Sequence, residues 1–162
     1  MEKQEFGNVE MEWCVADLLQ WNLLQKSLLE ISSLAMNNQA PFFDIMLEKG
    51  CADAISCGEH VVVDLEGSLV SLEPVAALMA NLARIMRIGG TLLSLSYSKY
   101  RYDFLKPDSE TFIESLAKLW RVVECKNMKP EAEQSSQAEE RTHVVYEPEV
   151  FHTIFVLERI GL

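Results

Sequence analysis

The chain has 162 residues, enough for one domain with a sizeable core, and 49% of them are apolar, which argues against a disordered chain. Its 25 acidic residues outnumber its 14 lysines and arginines, and the net charge of −11 argues against a broad basic surface for a nucleic-acid backbone. A basic protein partner or substrate remains compatible with that charge. No apolar run is long enough to span a bilayer, and Met1-Glu2-Lys3-Gln4-Glu5 lacks the apolar core of a signal peptide. Cys14, Cys51, Cys57 and Cys125 form neither a CxxC pair nor a zinc pattern. They read as reduced, mostly buried thiols, as expected of a cytoplasmic or nuclear protein.

The first predicted element is a strand over Asn8 to Ala16, where Val9, Met11, Trp13 and Val15 alternate with polar residues. A helix is expected next, with Asp17 as its cap, Leu24, Leu28 and Ile31 on one face, and an end near Met36. Phe42 to Leu47 is apolar at nearly every position, the pattern of a strand covered on both faces. It ends abruptly in Glu48-Lys49-Gly50, and Ala52 to Ser56 is expected to form a short helix. Val61-Val62-Val63 has strand character, but Gly58 and Gly67 bracket a segment that reads as a loop.

Glu73-Pro74 opens a firm helix, because proline suits a first turn. Val75, Leu78, Met79, Leu82, Ile85 and Met86 give it an apolar stripe, with Arg84 and Arg87 near its end and Gly89 or Gly90 as its left-handed stop. Thr91 to Ser96 is a strand, and Asp108 to Leu119 an amphipathic helix. Trp120 to Cys125 and Val150 to Leu157 form a closing antiparallel pair. The stretch between them, rich in Glu, Gln and Ser, makes 129–147 a flexible acidic loop. The fold class is α/β, with the whole chain, 1–162, as one domain. Phe43, Ile45, Leu47, Leu92, Leu93 and Leu95 are expected at the centre of the sheet.

In open α/β sheets ligands sit at the carboxyl ends of the strands. The run Phe43-Asp44-Ile45-Met46-Leu47-Glu48-Lys49-Gly50-Cys51-Ala52-Asp53-Ala54-Ile55 is therefore a candidate site. It resembles the fourth-strand motif, "FDVVLDKGTLDAL", of class I S-adenosylmethionine-dependent methyltransferases, in the group of the elongation-factor and citrate-synthase lysine methyltransferases. Ile85-Met86-Arg87-Ile88-Gly89-Gly90-Thr91-Leu92-Leu93-Ser94-Leu95-Ser96-Tyr97 is similar to that family's fifth-strand unit, with Ile88 in place of the usual proline. Trp13-Cys14-Val15-Ala16-Asp17-Leu18 looks like its third strand.

The resemblance implies a Rossmann-like methyltransferase fold with sheet order three-two-one-four-five-seven-six. It implies S-adenosyl-L-methionine as cofactor, a protein lysine as substrate and no metal. Asp17 would meet the adenine amino group and Leu18 would wall the ring, although Asp17 serves equally as a helix cap. Glu48 would position the substrate amine or meet the cofactor's methionine end, the alternative being an ion pair with Lys49 or an arginine. Lys49 and Gly50 would lie beside the cofactor, Gly50 permitting close backbone approach. Asp53 reads as a cap for the short helix, and His152 as a packed strand residue. The segment Tyr97 to Phe104 either lines a substrate entrance or is a surface loop anchored by its aromatics.

The family's glycine-rich cofactor loop and its ribose-binding acid have no counterpart in this sequence. The expectation is an amino-terminally truncated methyltransferase that binds its cofactor weakly or not at all. The alternative is a non-catalytic remnant that acts through protein association. An uncovered edge on the fourth strand would then favour self-association or a partner chain.

Overall fold

The computed structural model describes residues 13–31, 43–65, 67–128 and 152–161. In chain order these form α1 (Trp21–Leu29), β1 (Phe43–Lys49), α2 (Cys51–Ile55), β2 (Val61–Leu65), β3 (Ser68–Leu72), α3 (Pro74–Ile85) and β4 (Met86–Ser96). A 3-10 turn (Asp103–Leu105), α4 (Glu114–Ala117), β5 (Trp120–Met128) and β6 (His152–Arg159) follow. The fold is mixed α/β. Its main sheet has four strands in the order β1-β4-β6-β5. β1 and β4 are parallel, while β6 runs antiparallel to both of its neighbours.

One face of this sheet is covered. Met46 and Leu92 are in register, as are Leu92 and Leu157, and Ser94 and Phe155. Against them lie Leu24 and Leu28 of α1, nearly all of α3, and Leu116 of α4, in a single apolar cluster. α3 is buried almost all round, as a helix hydrophobic on every side must be. Two polar anchors tie the end of the sheet to it. Trp120 Nε1 donates to Met79 O at 3.0 Å, and the buried Arg159 donates through Nε to Ala83 O at 3.0 Å. Burial lowers the pKa of that arginine.

The opposite face departs from the expected centre. Ile45 is 66% exposed and Leu47 75%, and Leu93 is also exposed. Side chains alternate along a strand, so Ile45, Leu47 and Leu93 point away from α3, and among the described residues no helix lies over them. A continuous apolar run cannot distinguish a strand covered twice from a strand covered once.

Other elements differ in extent. Residues 13–17 carry no strand, the residues before Trp13 lie outside the described set, and α1 starts at Trp21, four residues after the expected cap. His60 to Ser71 is not a loop. β2 and β3 pair antiparallel across a tight turn in which Gly67 adopts φ 81° and its N–H reaches Asp64 Oδ1 at 2.8 Å. α3 needs no glycine stop, because Met86 is already extended and β4 starts there; the left-handed Gly89 falls inside the strand. The helix expected over Asp108 to Leu119 shrinks to α4, after a chain of turns in which Lys106, Ser109 and Phe112 each bond three residues back. The antiparallel pairing of β5 with β6 is as expected. The acidic stretch 129–147 and His143 lie outside the described residues. The cysteines are not mostly buried: Cys14, Cys57 and Cys125 are exposed and Cys51 is half-buried.

Candidate functional site

β1 ends at Lys49, and Gly50 then turns the chain with φ 69°. Its N–H donates to Leu95 O at 2.9 Å, which keeps the turn on the sheet. The reversal sets the Glu48 carboxylate against the opening turn of α2. Glu48 Oε2 accepts from Cys51 N at 3.0 Å and Ala52 N at 3.2 Å. Those are backbone donors that a helix leaves unpaired at its start. Glu48 is also in register with Ser94, whose hydroxyl donates to Oε1. Tyr102 O–H donates to Ser94 Oγ at 2.9 Å and lies 3.4 Å from Oε1. Burial pushes the Tyr102 phenol far above its ordinary range; the bond to Ser94 acts against this and the Glu48 charge adds to it.

The next carboxylate in the motif makes a second centre. Asp53 does not cap α2. Its Oδ1 accepts from Ser96 Oγ at 2.6 Å and from Arg101 at 3.0 Å (Nε) and 2.6 Å (Nη2), and its Oδ2 accepts from Tyr97 N at 2.9 Å. Burial pushes this carboxyl up, but the bonds from Ser96, Tyr97 and Arg101, with the Arg101 charge, outweigh it, and the pKa falls below the ordinary value. The two carboxylates fasten the segment after β4 onto α2.

That segment is anchored from below. Tyr102 and Phe104 are buried, and Tyr102 meets Phe155 edge to face at 5.0 Å. Tyr97 and Tyr100 remain exposed; Tyr97 lies against the half-buried His152 ring at 4.8 Å, and Lys99 Nζ stands 4.8 Å over the Tyr100 ring.

The expected site residues are only partly brought together. Leu18, Glu48 and Cys51 line an apolar groove of about 450 Å³ beside β1, walled by Leu24, Phe43 and Leu82. Glu48 is the one charged residue among its described lining. Asp17 stands off the groove. It caps neither α1 nor a ligand pocket but accepts from Leu19 N at 2.9 Å in a local turn, because Gln20 occupies the helix boundary. Leu18 is held by its carbonyl, which accepts from Asn81 Nδ2 at 2.9 Å. Lys49 is exposed and outside the groove lining, and among the described residues Glu48 pairs neither with it nor with an arginine. Among the described residues, no atom beyond its immediate chain surroundings lies within 4 Å of the place a Gly50 side chain would occupy, so there the glycine serves the left-handed turn rather than a close approach. Burial and the Glu48 charge raise the Cys51 thiol, opposite to an activated nucleophile.

Ser94, Ser96, Arg101 and Tyr102 are the polar residues that sequence reasoning did not assign to the two carboxylates. A signal was present. Ser94 and Ser96 share parity with Leu92, so they fall on the buried face, and buried hydroxyls require partners. Among the described residues, no group of three or more His, Cys, Asp and Glu side chains is placed to hold a metal, and no helix is long and apolar enough to cross a membrane. No protein-family model matches the chain, and no curated protein matches it significantly.

Proposed function

We propose that the chain is a methyltransferase-type unit of the S-adenosylmethionine class, directed at protein lysines, which does not complete a cofactor site from its described residues alone. The observation that carries this reading is the sheet order. β1-β4-β6-β5, with β6 antiparallel to both neighbours, corresponds to the order four-five-seven-six that the sequence resemblance implies for one half of a Rossmann-like methyltransferase sheet. The run Phe43 to Ile55 supports it further, as a strand, a left-handed glycine and a short helix.

The residues present do not fit the cofactor by themselves. The groove beside β1 is apolar apart from Glu48, and both oxygens of Glu48 already accept hydrogen bonds from the protein. Asp17 turns to its own backbone. The sequence holds no glycine-rich loop. These residues alone therefore assemble no transfer step. The second reading, a non-catalytic remnant acting through protein association, is favoured by the engagement of Glu48. A carboxylate committed to a helix start and a serine is not available to position a substrate amine.

Calorimetric titration of the chain with S-adenosylmethionine tests the proposal. Each hydrogen bond that the missing loop and ribose acid would supply is worth about 0.5–1.5 kcal/mol, so losing several costs orders of magnitude in affinity. Weak or absent binding is expected. Submillimolar binding, or methyl transfer to a basic protein by this chain alone, would restore the reading of a complete enzyme.

A further inference from the structure

A second pocket shares no lining residue with the groove beside β1. It encloses about 490 Å³ between the start of α1, the strand β2 and the last turns of α3. Asn81 lines it and is completely buried. Its Nδ2 donates to Leu18 O at 2.9 Å, which fixes the orientation of the amide, and its Oδ1 has no donor among the described residues. With Nδ2 held by the chain, Oδ1 is the atom left to the pocket. A buried acceptor without a partner is costly, so the position calls for a donor.

The start of α1, on the same pocket, calls for the opposite. Gln20 makes no side-chain cap there, and the first turn holds no acid. Trp21 N and Asn22 N have no acceptor among the described residues. These N–H groups stand at the positive end of a nine-residue helix, where an anion is favoured. Arg84 lies beside them. Its guanidinium is 4.8 Å over the Trp21 ring and donates to Asp64 O. Arg84 is the one cation and Asp64 the one acid in the described lining. Trp21 and Val61 to Val63 supply apolar wall.

We propose that this pocket binds a free α-amino acid with an apolar side chain. The ammonium group donates to Asn81 Oδ1, with the Asp64 charge in its favour. The carboxylate accepts from Trp21 N and Asn22 N and faces Arg84. The side chain lies against Trp21 and the β2 valines. A simple anion would leave Asn81 unmet. A simple cation would leave the start of α1 unmet and meet the Arg84 charge. A zwitterion with both groups on one carbon answers both demands. The proposal is independent of methyl transfer and of the groove at Glu48.

Calorimetric titration and amide NMR of the full chain test it, with L-leucine as the probe. Isocaproate, which lacks the ammonium group, and isoamylamine, which lacks the carboxylate, are the controls. Leucine should bind with a Kd below about 1 mM, and each control about tenfold more weakly, since each forfeits hydrogen bonds to a charged group. The shifts should centre on Trp21 N, Asn22 N and the Asn81 side-chain amide. Asn81→Leu should weaken leucine binding about tenfold. Should that variant fail to fold, Arg84→Gln, at a half-buried position, should weaken leucine and leave isoamylamine unchanged. No leucine binding up to about 10 mM would mean that water serves Asn81, and would overturn the proposal. Controls that bind as well as leucine, or shifts centred elsewhere on the chain, would overturn it too.

Discussion

Asp53 and Arg101 meet at 2.6 Å across 48 residues of chain, with only 14% and 17% of their side chains exposed. The contact joins the helix after β1 to the segment after β4. Three further donors, Ser96 Oγ, Tyr97 N and Arg101 Nε, converge on the same carboxylate.

Asp53→Asn should therefore destabilise the chain by about 2–4 kcal/mol, because it strips the charge from the pair and leaves a half-buried guanidinium unmatched. Urea denaturation of both proteins measures the difference. A shift within the error of the wild-type midpoint would show that the surrounding water compensates the loss.

The same carboxylate sets a pH dependence. Its folded pKa lies below the ordinary value, so its stabilisation is complete above the unfolded-state pKa of about 3.9. It is lost as pH falls from there through the folded value. The stability difference between wild type and Asp53→Asn should be constant near neutrality and shrink on acidification below about pH 4. Paired denaturation curves across that window check this; a difference that grew on acidification would contradict it.

Glu48→Gln should cost about 1–2 kcal/mol. A carboxylate serves the α2 backbone donors with one oxygen and Ser94 with the other. An amide has one acceptor oxygen and cannot do both. Thermal melting with a circular-dichroism readout measures the loss. An unchanged melt would mean that the start of α2 is served by water instead.

Gly50→Ala should cost about 1–2 kcal/mol, the penalty of placing an L side chain in the left-handed region. The surroundings offer room, so the penalty is purely one of backbone conformation. Gly50→Asn should cost less, since asparagine tolerates that region. Equal losses for the two variants would point to an unseen contact instead.

Much of this architecture is legible in the residues. Pro74 marks the start of α3 to the residue, and the strand–acid–glycine–helix succession from Phe43 to Ile55 folds as read. The closing antiparallel pair was equally plain. The failures share a cause. Ile45 and Leu47 look like core because a period-two element with apolar residues at every position carries no record of which face is covered. Asp17 looks like a cap because its neighbours suit a helix, yet the boundary is set three residues later at Gln20. β2 and β3 were hidden because Gly67 reads as loop punctuation, when it supplies the turn that pairs them. In the candidate site, the sequence puts Glu48 at the carboxyl end of its strand, and it stands there in the structure. Its partners Ser94 and Tyr102 lie 46 and 54 residues away, and no local pattern records such a meeting.

The strand order has a consequence for synthesis. β5 touches the sheet only through β6, which is made after it and inserts between β5 and β4. As the chain leaves the ribosome, β1 and β4 can already align, while the finished β5 must wait with no neighbour to bond. Trp120 and Val122 have no sheet partner until Arg159 and Leu157 arrive. The half-made protein thus passes through a stage with a loose strand, its Trp120 and Val122 not yet paired into the sheet, which favours association with chaperones or other chains.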